Sequence, residues 1–412
     1  MRRTLSNPAT LVILAGVCAA LHVGKLPPAI PVLRDALGVT WLQAGFLLSL
    51  VQLAGMTLGL LVGLGADGAG LRRSMLTGLC MLAVASTIGG WARDASELMV
   101  LRAVEGLGFL LVTLPAPSLI RRLVAPSRLS TSLGFWGAYM PLGTALALLS
   151  GPAVMAVIGW QGWWWLLAAL SALMALWVWR RVPADAPAAV HAVFGPAADA
   201  EQSRHDSWLH RLRQTLVSPG PWLVALTFAV YSGQWLAVIG FLPSLYEQAG
   251  FGLASVGSLT ALAAAVNIVG NVTAGRLLRR GWPAQRLLVI GFCAMGVGAL
   301  LAFGLPPGLV ALRYAGVLLF SMVGGMIPGT LFSLAVRLAP GPQTVSTTVG
   351  WMQQWSSVGQ FAGPPLVAWV AGWIGGWQWT WVVTVSCSVL GLLLAMRIRD
   401  FVAREEARTA NG

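Results

Sequence analysis

Five ionisable side chains lie inside long apolar stretches of this 412-residue sequence, where a charge needs a partner or a task. The first stretch contains His22 and Lys25, the fourth contains Arg102 and Glu105, and the tenth contains Arg313. Within each of the first two stretches the residues are three apart, so each pair would share one face of a helix. Lys25 is the only lysine in the chain. Several cations beside one carboxylate indicate a site that binds an anion and exchanges a proton.

The functional hypothesis divides these side chains by their chemistry. Lys25, Arg102 and Arg313 would attract an anionic substrate, with His22 beside them. Glu105, with His22 as the second candidate, would exchange a proton. Structural interpretations stay open, because Lys25 and Arg313 could each snorkel to the outer interface. Arg102 and Glu105 could form nothing more than an intrahelical pair.

Uncharged polar side chains in the other apolar stretches could orient a small ligand. The candidates for substrate contact are Tyr139, Tyr231, Gln234 and Gln354. Side chains of these types also pair membrane helices with one another, so a structural role is an equal alternative. The four cysteines have spacings that suggest neither a metal site nor a disulfide framework, and we predict no metal and no cofactor.

The apolar stretches that position these residues are long enough to cross a membrane. The chain is 57% hydrophobic and only 9% charged, whereas a soluble domain has about 25% charged residues. Runs of roughly 20 apolar residues match the thickness of a bilayer. We predict an all-α integral membrane protein with twelve spans, which start near Ala9, Trp41, Met75, Leu98, Thr131, Gln161, Pro221, Leu253, Gln285, Val310, Val345 and Trp377.

The basic residues are distributed unevenly between the two sides of this layout. The formal net charge is +13, which we interpret as topogenic charge and not as a surface for nucleic acid. With the N-terminus inside, 21 basic residues fall in inner segments, whereas only Arg34 and Arg93 fall in outer loops. This asymmetry predicts a multi-pass protein of the bacterial inner membrane with both termini in the cytoplasm.

Short motifs recur at a common offset and indicate an internal repeat. Each motif has a second copy about 211 to 217 residues later; the first residues of four such pairs are Leu101 and Leu312, Ala125 and Ala339, Gly151 and Gly363, and Gly159 and Gly376. The sequence therefore predicts two six-helix halves, over residues 1–180 and 221–400. Residues 181–220 form a cytoplasmic loop with a short amphipathic helix, and residues 401–412 form a cytoplasmic tail.

The stretch from Gly63 to Arg73 reads G-L-G-A-D-G-A-G-L-R-R, between the second and third spans. Asp67 is placed to accept hydrogen bonds from backbone N–H groups where the next helix starts. The stretch resembles the loop signature of the major facilitator superfamily of transporters, whose second and third helices it joins. The matching residues are Gly63, Asp67, Gly70, Arg72 and Arg73, whereas Gly68 and Leu71 stand where a basic residue is usual.

Arg102 to Gly108 reads R-A-V-E-G-L-G and resembles the fourth-helix motif of the same family. The resemblance implies two pseudo-symmetric six-helix bundles, in which spans 1, 4, 7 and 10 line a central cavity. It also implies a proton-coupling role for Arg102, and that Asp67 holds the outward-open state against the start of span 11. The chain resembles the cyanate and nitroimidazole transporter branch as well, although no diagnostic motif carries that likeness.

The sequence thus predicts a secondary active transporter that moves a small anionic organic solute by alternating access, coupled to protons and functioning as a monomer in the lipid bilayer. The alternative within transport is a proton-driven multidrug or metabolite exporter. An integral membrane enzyme is a third possibility, but its short outer loops offer few candidate catalytic groups. The chain has no G-x-x-x-x-G-K-[ST] nucleotide-binding loop, which argues against a primary pump.

Overall fold

The computed structural model describes residues 7–60, 70–125, 132, 135–185, 208–341 and 344–411, and within these ranges it contains helices and no strands. The first half contains α1 (Pro8–Gly24), α2 (Ile30–Leu37), α3 (Trp41–Ser49), α4 (Leu71–Gly89), α5 (Ala95–Thr113), α6 (Ala116–Leu123) and α7 (Tyr139–Arg181). The second half contains α8 (Trp208–Val217), α9 (Pro219–Gln248), α10 (Leu253–Ala265), α11 (Asn267–Arg279), α12 (Ala284–Ala299), α13 (Val310–Gly324), α14 (Met326–Arg337), α15 (Val345–Ile374) and α16 (Thr380–Asn411).

Polar side chains at the helix starts explain where several of these helices begin. Thr40 and Gln43 form a capping box at the start of α3. Asp94 caps α5 by accepting hydrogen bonds from the backbone N–H groups of Ser96 and Glu97. The Ser96 hydroxyl, together with these N–H groups, holds the pKa of the Asp94 carboxyl below its usual range. Each cap satisfies donors that the first helical turn would otherwise leave unpaired.

Among the described residues, nine helical segments are long and apolar enough to cross a membrane. Helices begin within a few residues of most of the predicted span starts. The predicted fifth and sixth spans share the 43-residue α7, which is interrupted at Gly159 (φ 71°, ψ 174°). The predicted third and eleventh spans correspond to α4 and α15, which are not among the nine. The predicted cytoplasmic tail continues the last helix, α16, to Asn411.

Glycines allow α9 and α15 to pack backbone against backbone. A Cβ on Gly359 would collide with the carbonyl oxygen of Ala229, and a Cβ on Gly363 would collide with that of Gly233. Such small residues let membrane helices approach closely, so that dispersion forces and weak hydrogen bonds stabilise the pair. This contact makes α15 part of the second half along its length.

In the part of the chain that the structure describes, the two halves meet mainly in two places: α7 packs on α10, where a Cβ on Gly257 would lie 3.3 Å from the carbonyl oxygen of Leu148, and the segment Trp41–Leu60 forms a seam with α15. A Cβ on Gly45 would lie 2.9 Å from Pro365 Cα, and Gln52 Nε2 donates to Gln360 Oε1 at 3.1 Å. At one end of this seam the Trp41 ring packs against Trp377, with ring centroids 5.1 Å apart. Because α1 begins and α16 ends at the other end, we call the Trp41 end the distal end.

The loop between the halves contains the predicted amphipathic helix, which the structure places at Trp208–Val217 as α8. Its last turn is tied to the second half, because the Trp222 indole donates to the carbonyl oxygen of Leu216 at 2.8 Å. Residues 186–207 of the predicted loop lie outside the described part of the chain.

Candidate functional site

Four of the five intramembrane ionisable residues meet inside the first half. Lys25 Nζ forms an ion pair with Glu105 Oε1, and Arg102 Nη1 lies 2.5 Å from Glu105 Oε2. His22 Nδ1 lies 3.7 Å from Glu105 Oε1. All four side chains are at most 1% exposed. We call His22, Lys25, Arg102 and Glu105 the charged cluster.

Glycines beside the charged cluster allow its helices to approach closely enough for these contacts. Gly24, which precedes Lys25, packs on α7, where a Cβ would lie 2.8 Å from Thr144 Cα. Gly106, which follows Glu105, packs on the turn after α3, where a Cβ would lie 2.5 Å from the carbonyl oxygen of Val51. The sequence therefore places a charged residue next to a point of helix contact in both α1 and α5.

Lys25 is held by polar and aromatic groups from α4 and α7. Its ammonium donates to Ser86 Oγ at 2.9 Å and lies 4.6 Å from the centroid of the Trp164 ring. The Ser86 hydroxyl in turn donates to the carbonyl oxygen of Trp164 at 3.0 Å. The Trp163 indole donates to the backbone carbonyl of Lys25 at 3.2 Å. The interpretation that Lys25 snorkels to an interface is therefore wrong for this structure, because its side chain is fully buried and paired.

Arg102 ties three helical segments together. Its Nε donates to the carbonyl oxygen of Leu47 at 3.2 Å, and its Nη1 donates to that of His22 at 2.7 Å. His22 Nε2 also shares a hydrogen bond with Ser171 Oγ at 2.7 Å. Among the described residues, neither Arg102 Nη2 nor His22 Nδ1 has a hydrogen-bond partner. The cluster thus retains two buried nitrogen atoms that could form further hydrogen bonds, for example with a ligand.

The charges of the cluster do not cancel when its groups are in their ordinary ionised states. Lys25 and Arg102 bring two positive charges, Glu105 brings one negative charge, and His22 is counted as neutral. The result is one excess positive charge in a site of 0–1% exposure. A buried net charge is costly, so the site favours either an added anion or the loss of a proton.

The fifth predicted residue, Arg313, lies apart from the charged cluster. Its Nε donates to the carbonyl oxygen of Ala302 at 2.8 Å, and its side chain is partly exposed. Two of the uncharged candidates, Tyr139 and Gln354, also make their contacts outside the charged cluster. Tyr139 stacks on Trp136 with ring centroids 4.2 Å apart. Gln354 bridges the halves by donating to the carbonyl oxygen of Met56 at 2.8 Å.

The remaining two candidates belong to a polar network in the second half. The Tyr231 hydroxyl accepts from Asn267 Nδ2 at 2.9 Å, and Gln234 Oε1 accepts from the Ser388 hydroxyl at 3.2 Å. Both Tyr231 and Gln234 are buried. Gln234 Nε2 has no hydrogen-bond partner among the described residues. Among the residues that the structure describes, neither of these two hydrogen bonds involves a charged side chain or a member of the charged cluster.

The predicted gate lies only partly within the described residues. Gly63 and Asp67 are outside them, whereas Gly70, Arg72 and Arg73 are within them. The Asp185 carboxylate accepts from the backbone N–H groups of Arg72 at 3.1 Å and of Arg73 at 3.0 Å. These two donors at the start of α4 are therefore bonded to Asp185, and the contacts expected for Asp67 stay a prediction, because Asp67 lies outside the described residues. The Arg72 side chain also donates to the carbonyl oxygen of Trp179.

Sequence reasoning did not identify Ser86, Trp164, Ser171 and Asp185. Ser86 and Ser171 are isolated hydroxyls in apolar runs, which are common in membrane helices without any ligand role. Ser171 had a usable signal, because Ser388 follows it by 217 residues, within the offset of the repeat. Trp164 stands in a run of tryptophans at the start of the predicted sixth span, a pattern typical of an interfacial aromatic belt, but its ring is fully buried against Lys25.

Comparisons with known proteins agree with this architecture. The family model of the Major Facilitator Superfamily matches residues 12–364. A solved structure of a bacterial homologue to the human lysosomal transporter Spinster, in an inward-facing and unoccupied conformation, superposes with a TM-score of 0.76. The match covers 96% of this chain and 98% of that chain at 15% sequence identity, so the likeness concerns the fold alone.

Two curated proteins are similar in sequence. The cyanate transport protein CynX of Escherichia coli (strain K12) is 25% identical over 339 residues, which cover 80% of this chain and 79% of that protein. The puromycin resistance protein pur8 of Streptomyces alboniger is 31% identical over 158 residues. That match covers 38% of this chain and 31% of that protein.

Proposed function

The chain belongs to the major facilitator superfamily and is a secondary transporter, not an enzyme, and we propose that it moves a small anionic solute together with a proton. It would do so by alternating access, as a functional monomer in a bacterial inner membrane with both termini in the cytoplasm. The distribution of basic residues supports this orientation. In that orientation the distal end is the outer end.

The excess positive charge of the buried cluster supports an anionic substrate. Lys25 and Arg102 share a single carboxylate, so one negative charge from a ligand would balance the site. Arg102 Nη2 is a buried donor without a partner among the described residues. An anion that reached this donor would gain a charge-assisted hydrogen bond that the empty site lacks.

The solute must be small to use this site. The cluster residues are at most 1% exposed and tightly surrounded, so a ligand would have to enter when the helices separate during alternation. One relative, which matches 80% of this chain, bears the name of a cyanate transport protein. Cyanate and short carboxylates are therefore the first solutes to test.

A ligand screen by thermal unfolding tests the proposal. Purified protein would be heated with cyanate, nitrate, acetate or malonate, and separately with lipophilic cations. A ligand at about 100 times its dissociation constant should stabilise the folded state by about 2.7 kcal/mol. The screen compares wild type with Lys25→Met, which removes the excess charge but keeps an apolar stem. Arg313→Met is the matched variant, because it removes an intramembrane cation outside the cluster.

We expect an anion to stabilise wild type and Arg313→Met, and to have little effect on Lys25→Met. Equal stabilisation of wild type and Lys25→Met would remove the charged cluster from substrate binding. If no anion in the panel stabilises the protein and a lipophilic cation does, the anion proposal is wrong.

The second candidate function is a proton-driven exporter of drugs or metabolites. The observation in its favour is the similarity to a puromycin resistance protein over 158 residues. Puromycin is therefore included among the cations in the screen. The cluster argues against this candidate, because Lys25 and Arg102 already occupy both oxygens of Glu105, which leaves a cationic drug no free carboxylate there.

A further inference from the structure

We propose that Lys25, and not Glu105 or His22, carries the coupling proton, and that it is protonated when the anion is bound. The proton and the anion would then cross the membrane in the same direction. This inference rests on the proposed function and assigns its chemistry to one side chain. It replaces the sequence-based expectation that Glu105 or His22 exchanges the proton.

The charge balance of the cluster favours Lys25 over Glu105. Arg102 stays protonated under all ordinary conditions, so its charge is fixed. If Glu105 accepted a proton while Lys25 stayed charged, the buried net charge would rise from one to two. If Lys25 released a proton, Arg102 and Glu105 would remain as a neutral pair with Nη1 and Oε2 in contact at 2.5 Å. Release of one proton from Lys25 is thus the single-proton change that brings the net charge of the cluster to zero. Such a change is favoured because burial penalises net charge.

The hydrogen bonds around Lys25 suit both of its protonation states. The Ser86 hydroxyl already donates to the Trp164 carbonyl, so towards Lys25 it acts as an acceptor. Glu105 Oε1 is the second acceptor. A neutral amine has two N–H donors and can keep both bonds. The third proton of the ammonium would face the Trp164 ring, whose centroid is 4.6 Å from Nζ.

The internal repeat argues that His22 has a structural role. His22 bonds to Ser171, and the residues 212 and 217 positions later, Gln234 and Ser388, form the corresponding bond in the second half. An amide that cannot titrate therefore fills the same position there. At the same offsets Lys25 corresponds to Ala237, so the second half lacks the proposed proton carrier.

Among the described residues, no further group around Lys25 is a candidate to carry the coupling proton. His22 shares its helix, α4 contributes the uncharged Ser86, and α7 contributes Trp164. Within the described part of the chain, the charged groups that face it are Arg102 and Glu105 from α5.

Anion and proton would therefore bind as a unit. The neutral amine of Lys25 takes up one proton as one anion enters, and the resulting ammonium and anion balance each other. No covalent bond is formed or broken other than the N–H bond. Release reverses both steps on the other side of the membrane, which makes the transport a symport.

The unique lysine makes a direct measurement possible. Full-length protein without a lysine-containing tag would be produced with lysine labelled by ¹⁵N at Nζ, so that NMR shows a single side-chain signal. At neutral pH without anion, we expect this signal at the position of a free amine. Saturation with the anion that stabilises the protein best among cyanate, nitrate, acetate and malonate should move it to the ammonium position. A signal that stays at the ammonium position across the physiological pH range, with and without anion, would overturn the proposal.

Proton uptake in weakly buffered detergent solution provides the second readout. We expect one proton per bound anion in wild type, and also in His22→Gln. Loss of uptake in His22→Gln with anion binding retained would transfer the role to His22. Anion binding without proton uptake in wild type would refute Lys25 as carrier while leaving the anion site intact. If the Lys25 signal titrates but no anion in the panel binds, the proposed anionic substrate fails instead, together with the joint binding inferred here.

Discussion

Glu105 is the residue on which the charged cluster depends. It is the only carboxylate in contact with Lys25 and Arg102 among the described residues. Both of its oxygens are used, one by each cation. Burial at 1% exposure removes the solvent that would otherwise screen the two positive charges from each other.

Glu105→Gln should destabilise the fold strongly, because it leaves the buried Arg102 guanidinium without a counter-charge and weakens the acceptor of Lys25. Removing one partner of a buried ion pair typically costs about 3–5 kcal/mol. Glu406→Gln is the matched control, since Glu406 pairs with Arg337 at an exposed position and such pairs are worth roughly 0–1 kcal/mol. Thermal unfolding of both variants in detergent checks the prediction. Similar unfolding temperatures for the two would mean that Glu105 does not hold the cluster.

The sequence identified the charged residues of this site but not their surroundings. Helical spacing placed His22 with Lys25 and Arg102 with Glu105, because residues three apart share a face. Spacing does not reveal how each helix is rotated towards its neighbours. It therefore left open whether Lys25 turned outward or inward, and could not indicate that Ser86 and Trp164 would receive it.

At the scale of elements, the segment Trp41–Leu60 and α15 form the seam between the halves. Near Gly45 the seam brings backbone against backbone, because a Cβ there would lie 2.9 Å from Pro365 Cα and 3.1 Å from the Pro364 carbonyl oxygen. Near the other end, a Cβ on Gly59 would lie 3.5 Å from Gln354 Cβ, which is an ordinary contact. A methyl side chain therefore fits at Gly59 but would collide with backbone at Gly45.

Gly45→Ala should shift the protein towards a state that is open at the distal end, because the proline backbone opposite cannot move aside. Gly59→Ala on the same segment is the control and should have little effect. The measurement is the alkylation rate of a cysteine introduced at Phe241, which packs near Trp41 with ring centroids 6.3 Å apart. Faster labelling in Gly45→Ala alone is expected, and equal rates in both variants would contradict this account of the seam.

Helix positions were predictable from the sequence, whereas the contacts that begin and join helices were less so. Apolar runs located the helices because a bilayer requires a minimum length of apolar chain. Gly159 has non-helical backbone angles, so it separates the predicted fifth and sixth spans within α7. At the start of α4, Asp185, more than a hundred residues away in sequence, accepts from the N–H groups of Arg72 and Arg73. Local sequence does not contain such a long-range partner.

At the scale of the whole molecule, the two halves share a fold but differ in chemistry. The first half contains the charged cluster, whereas the second half has the uncharged pair of Gln234 and Ser388 at the corresponding place. Arg102 and Arg313 occupy corresponding positions in the repeat. Arg313, however, donates a hydrogen bond to the backbone carbonyl of Ala302 and takes no part in the charged cluster. We therefore assign substrate charge and proton exchange to the first half, and helix pairing to this part of the second half.

Uptake into proteoliposomes tests the central claim, that the chain carries a small anion together with a proton. Radiolabelled cyanate and malonate would be supplied outside, with the exterior more acidic than the interior, and protein-free liposomes would correct for passive entry. We predict that an anion accumulates in the presence of wild type and of Arg313→Met, that Lys25→Met abolishes the accumulation, and that collapsing the pH gradient does the same. Accumulation driven only by an alkaline exterior, accumulation that Lys25→Met leaves intact, or transport of puromycin without transport of either anion would contradict the account.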